Sequence, residues 1–103
     1  MNIVVFITTQ NVKQARDISL RLIKAKLAAC VNIVSGVKSI FWWQGKVDSA
    51  KEALLIVKTK KSLLNRLVKT VKKLHSYDVP EIIALPIIGG NKEYLKWLND
   101  STR

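Results

Sequence analysis

The sequence predicts an α+β domain with the order strand, helix, strand, strand, helix, strand, and a short helix at the end. Three observations point there. Four stretches are rich in Val, Ile, Phe and Trp, the composition of a pleated and half-buried surface. Two other stretches repeat apolar residues at spacings of three and four, the period of a helix face. The second and third strand stretches follow one another directly. Only the Gly45-Lys46 turn and a short run containing Asp48 and Ser49 lie between them, so they pair as a hairpin.

In residues 2–9, Ile3, Val5 and Ile7 alternate with Val4, Phe6 and Thr8, so nearly every position is apolar. Such a strand is covered on both faces. Asn11 offers an N-cap, with Gln14 three residues on as its capping-box partner. The helix that follows, to about Lys26, carries the stripe Val12, Ala15, Ile18, Leu22 and Ile23. The hairpin joins Cys30–Gln44 to Glu52–Lys60. Fully extended at about 3.3 Å per residue, its first strand spans about 50 Å. A compact domain of this length is only about 35 Å across. The hairpin therefore bends, with Gly36 as the natural bulge, or its tip packs on another chain, and both are expected. A second helix over Lys61–Leu74 places Leu64, Leu67, Val68, Val71 and Leu74 on one face. Pro80 forces an extended approach to strand four, Ile82–Ile88, in which Pro86 cannot donate to a ladder and so marks an edge. Gly89 and Gly90 end that strand, and Asn91 caps a last helix bearing Tyr94, Leu95, Trp97 and Leu98.

This order is the ferredoxin-like sandwich, a single domain over residues 1–103. Right-handed crossovers put both long helices on one face of the sheet. The other face is then bare, although the first and fourth strands are apolar on both sides. A bare apolar face needs a cover, and the simplest is another copy of the chain, which implies a symmetric oligomer.

Composition narrows the function. The 103 residues carry a net charge of +11, which suits an anionic partner. Most of the cations, however, fall at polar positions of the two helical stretches, Lys13, Arg16, Arg66 and Lys69 among them, and read as solvated helix faces. An RNA-binding sheet needs exposed aromatics on its first and third strands, and Phe6 is the only aromatic there. No apolar run approaches the roughly 20 residues of a membrane helix, and residues 1–9 read as a strand rather than a signal peptide. A lone cysteine cannot form an internal disulfide, so a reducing cytoplasm is the expected compartment. Enzymatic signatures are missing. Gly89-Gly90 leads into Asn91 with no phosphate-loop Lys-Ser or Lys-Thr, and no Gly-x-Ser-x-Gly elbow occurs. A Cys30–His75 dyad would need a thiolate in an apolar strand, where it is disfavoured. The chain is expected not to be an enzyme.

Two constellations remain. Cys30 and His75 are the only soft metal ligands, and copper and zinc prefer thiolate and imidazole. One of each does not complete a tetrahedral site. Neighbouring chains could add Glu52, Asp78 or Glu81, so a metal would be accessory rather than a folding staple. The structural alternatives are a Cys30 that packs as a small hydrophobe and a His75 that satisfies the last carbonyls of its helix. Trp43, Lys46, Lys58 and Tyr77, with Glu52 and Glu81, form the second group. If the hairpin tip docks on a neighbour's His75–Glu81 turn, they line a cleft in which Lys46 or Lys58 could hold an anion. Alternatively, Trp43 and Tyr77 are interface anchors.

The motifs together resemble the CutA family of divalent-cation tolerance proteins. They are Leu27-Ala28-Ala29-Cys30-Val31-Asn32-Ile33, Trp43-x-Gly45-Lys46, Glu52, Lys58-Thr59, Leu74-His75-x-Tyr77-x-x-Pro80-Glu81-Ile82, Pro86, and Tyr94-Leu95-x-Trp97-Leu98. Ser76 and Asp78 stand where that family usually has Pro and Glu. The resemblance implies a tight trimer with interlocking hairpins. It also implies a cytoplasmic role in tolerance of copper and other divalent ions, with copper or zinc bound at inter-subunit clefts. Trimeric nitrogen-regulator proteins share the fold, so a signalling module binding a small anionic ligand or nucleotide in the same cleft is the alternative. Such proteins carry a long mobile loop, and an ordered hairpin stands in its place here.

Overall fold

The computed structural model describes residues 1–103. The chain runs β1 (Asn2–Thr9), α1 (Val12–Lys24), β2 (Cys30–Trp43), β3 (Lys46–Lys60), α2 (Leu64–Leu74), β4 (Ile82–Pro86) and α3 (Lys92–Asp100). A single 3₁₀ turn, Lys61–Leu63, leads into α2, so the helix expected from Lys61 opens with a tighter first turn. The strands form one antiparallel sheet in the order β2-β3-β1-β4. This is the expected ferredoxin-like arrangement, and Pro86 lies on an edge strand.

The register explains the core. Val5 faces Val57 and Ile7 faces Leu55 across β1 and β3. These side chains meet Ala15, Ile18 and Leu22 of α1 and Leu67 and Val71 of α2, and all are buried. The α1 stripe is narrower than expected, because Val12 and Ile23 are exposed. Ser19 takes a buried place instead, its Oγ donating to the Ala15 carbonyl at 2.7 Å. Residues 15, 18, 19 and 22 share the inward arc, and Ile23 lies about 100° further round the helix. Only half of the capping box forms. Asn11 Oδ1 accepts from the Gln14 N–H at 2.8 Å, while Gln14 Oε1 accepts from the Ser76 hydroxyl at 3.2 Å.

The hairpin makes the molecule long, 44 × 25 × 22 Å. Gln44 and Gly45 both have positive φ, 51° and 78°. That is the two-residue hairpin turn whose twist matches the strands. Val34 pairs with Leu54 and Val37 with Glu52, so Ser35 and Gly36 together oppose Ala53. Gly36, at φ 71°, takes the bulge as expected. β3 begins at Lys46 rather than Glu52. The tight turn leaves no slack, so the polar run Asp48–Lys51 is held by cross-strand pairing with Lys38–Phe41 in spite of its composition. The outer arm is exposed on both faces, with Trp42 76% and Ile40 70% accessible.

The sheet face away from α1 and α2 carries Phe6 between Ile56 and Ile83, and Leu54 beside Val34. α3 packs against β1 and β3 and buries Leu98. Val34, Ile83 and Leu85 stay exposed.

Candidate functional site

The turn from α2 into β4 is held from within. His75 is 9% exposed, and both ring nitrogens are engaged. Nε2 lies 2.7 Å from the Thr8 carbonyl, and Nδ1 lies 3.0 Å from the Tyr77 N–H. The pattern is satisfied by a neutral imidazole that donates from Nε2 and accepts at Nδ1. Its ring also packs on Tyr77, with centroids 4.7 Å apart. His75, expected as a metal ligand, is here a latch tying the turn to the end of β1. A metal could reach it only by displacing one of those bonds. The alternative of a His75 side chain satisfying helix carbonyls is not seen either, since the carbonyl it meets belongs to β1.

Tyr77 donates to Glu52 Oε2 at 2.8 Å. Burial pushes its phenol up to about 12, and the hydrogen bond and charge of Glu52 add to the shift. The fold thus joins two of the predicted residues from separate strands and turns. Asp78 and Glu81 are exposed on the same turn.

Cys30 lies elsewhere. It pairs with Lys58 across β2 and β3, six residues along β3 from Glu52. At about 3.3 Å per residue that is about 20 Å. Cys30 is half-buried, and its Sγ lies 3.9 Å from both Lys58 Nζ and Asn32 Oδ1. Lys58 Nζ donates to Asn32 Oδ1. Tyr94 of α3 completes this group, and burial, with Cys30 beside it, raises its phenol above the usual value. Asn32 and Tyr94 were not among the expected site residues. The signal for Asn32 was its place two residues after Cys30, on the same side of the strand. Tyr94 stands out in the sequence only as a packing residue of the last helix, and it reaches the group through the placement of α3.

Trp43 and Lys46 face each other at the hairpin tip. Within one chain they do not meet Tyr77 or Lys58, so the predicted pocket is divided into tip, turn and sheet end. No group of three or more His, Cys, Asp or Glu side chains is placed to hold a metal. The donors of a single chain therefore do not fit copper or zinc. No helix is long and apolar enough to cross a membrane.

Comparison with known proteins fits this geometry. The model of the CutA1 divalent ion tolerance protein family matches residues 3–101. The chain is 51% identical over 102 residues to a divalent-cation tolerance protein CutA of Thermus thermophilus, covering 99% of both. It is 54% identical to a chloroplastic CutA 1 protein of Oryza sativa, and here 99% of the chain matches 58% of the rice protein. With a chloroplastic CutA of Arabidopsis thaliana the share is 56%, so the chain spans somewhat over half the length of these plant relatives. Among solved structures, the Thermus thermophilus protein superposes with a TM-score of 0.98 at 50% identity, each chain wholly covered. A protein described as a periplasmic divalent cation tolerance protein CutA, from Archaeoglobus fulgidus, gives 0.95 at 42% identity and 98% of both chains. The chain belongs to the CutA1 divalent ion tolerance family.

Proposed function

We propose that the protein is a non-catalytic divalent-cation tolerance factor of the cytoplasm. It works as a homotrimer and takes up copper or zinc at clefts between chains. The names of the bacterial and archaeal relatives support the tolerance role. The observation that carries the reading is the division of donors within one chain. Glu52, bonded to Tyr77 of the turn that carries Asp78 and Glu81, lies towards one end of the sheet and Cys30 at the other, and no three of these donors converge. A coordinated ion therefore needs donors from a second chain. The open sheet face supplies the reason for a second chain to be there, since Ile83 is 51% exposed on it, with Leu85 on the same strand and Val34 on the opposite edge strand also exposed.

The arm supports trimer assembly in the same way. Trp42, Trp43, Ile40 and Val47 project from both faces of a two-stranded ribbon, each more than half exposed. An isolated ribbon is marginal in water, and packing on a neighbour's His75–Glu81 turn would bury it. That docking would bring Trp43 and Lys46 to Tyr77 as walls of the cleft, with the oxygen donors Glu52, Asp78 and Glu81 at its edge.

Native mass spectrometry with added zinc or copper tests the reading. The expected result is a trimer that takes up one or three ions, with Glu81→Gln reducing uptake and leaving the trimer intact. A trimer that binds no ion, or a monomer that binds as many per chain as the assembly, would contradict it.

A further inference from the structure

The net charge of +11 is distributed unevenly. Residues 12–26 and 61–74, which form the two long helices and their ends, hold ten Lys and Arg against one carboxylate, Asp17. Nine of the eleven net charges thus lie in the helical layer. All ten cations are exposed, and only Lys13 has a carboxylate within ion-pair distance, Asp17 at 3.1 Å. α1 and α2 lie together on one side of the sheet, so these charges form one surface rather than a scatter. Simple solvation accounts for exposed cations but not for the near absence of counter-charges beside them.

A second feature separates the possible anionic partners. Lys13, Arg16, Leu20 and Lys24 follow one another at spacings of three and four along α1 and so share its outward stripe. Leu20 is 49% exposed in the middle of that cationic line, and Ile23 is exposed beside it. Neither helix carries an aromatic residue with which to stack on bases. Cations flanking exposed aliphatic side chains on a helix surface match a bilayer interface, where the cations meet anionic headgroups and the aliphatic groups enter the acyl boundary.

We propose that the outer face of α1 and α2 is a peripheral docking surface for anionic lipid membranes. It lies on the side of the sheet opposite the apolar face assigned to self-assembly, so the two contacts are compatible. The contact is interfacial and reversible, with no segment spanning the bilayer.

Cosedimentation of the full chain with vesicles tests this, comparing phosphatidylcholine alone with mixtures one-third phosphatidylserine. Binding is expected only to the anionic vesicles and should weaken as salt rises. Each cation near the surface contributes about a fivefold factor, so Arg66→Glu with Lys69→Glu should lower the partition coefficient more than tenfold. Leu20→Ser should lower it severalfold without changing the charge. Circular dichroism and assembly size should stay at parental values in both variants. No binding to anionic vesicles at low salt would overturn the proposal. So would binding that ignores Leu20→Ser while duplex DNA binds more tightly than the vesicles, which would assign the face to a nucleic-acid backbone.

Discussion

Both faces of β1 and β3 carry large apolar residues at their centre, but their fates are opposite. On one, Val5, Leu55 and Val57 are fully buried beneath α1 and α2. On the other, Phe6, Leu54 and Ile56 are covered in part, and the flanking Val34, Ile83 and Leu85 are exposed. The hairpin arm extends the second condition beyond the sheet. A domain of 103 residues has helices enough for one face. Apolar residues on the other are a commitment to assembly, because water-facing alternation would otherwise have served better.

The comparison can be broken most directly in the core. Leu55→Ala should cost about 2–5 kcal/mol, seen as a lower urea midpoint at every protein concentration. A residue on the opposite face should behave differently. Ile83→Asp is expected to split the assembly and to lose far-ultraviolet circular dichroism as it dissociates, so the loss of stability should depend on protein concentration. A concentration-independent loss for Ile83→Asp would mean that the open face stabilises the single chain.

A smaller effect sharpens the contrast at the turn. Tyr77→Phe removes the bond to Glu52 and should cost about 1 kcal/mol. The phenol titrates near 12 when folded against 10.0 when free. Between those values the native chain holds a proton that the unfolded chain has lost. The stabilisation is therefore complete below pH 10 and lost as pH rises through 12. Absorbance titration of phenolate should show this high-pH group in the parent and not in Tyr77→Phe, and Glu52→Gln should bring it down.

The smallest effect is at the arm's tip. Gln44 holds a left-handed backbone at φ 51°, which Asn tolerates better. Gln44→Asn should stabilise the hairpin by about 0.5 kcal/mol in denaturant titration, without altering the core.

Much of the fold was legible because its signals are local. Two-sided alternation in residues 2–9, Pro86 on an edge, and Gly36 between two long apolar runs each express a constraint carried by adjacent residues. The candidate site was less legible because its geometry is not local. His75 looks like a free ligand until Thr8, 67 positions away, is seen to accept from its ring. Lys58 was placed with Trp43 and Tyr77, whereas the register sets it opposite Cys30. The start of β3 was hidden for the same reason, since Asp48 and Ser49 are poor strand formers kept extended by their partners.

Sedimentation equilibrium of the parent chain across nanomolar to micromolar concentration tests most directly whether the open face and arm are built for other copies. The expected species has three times the 11.6 kDa chain mass, with loss of folded signal wherever it dissociates. A stable, folded 11.6 kDa monomer at micromolar concentration would contradict the assembly and, with it, the shared metal site.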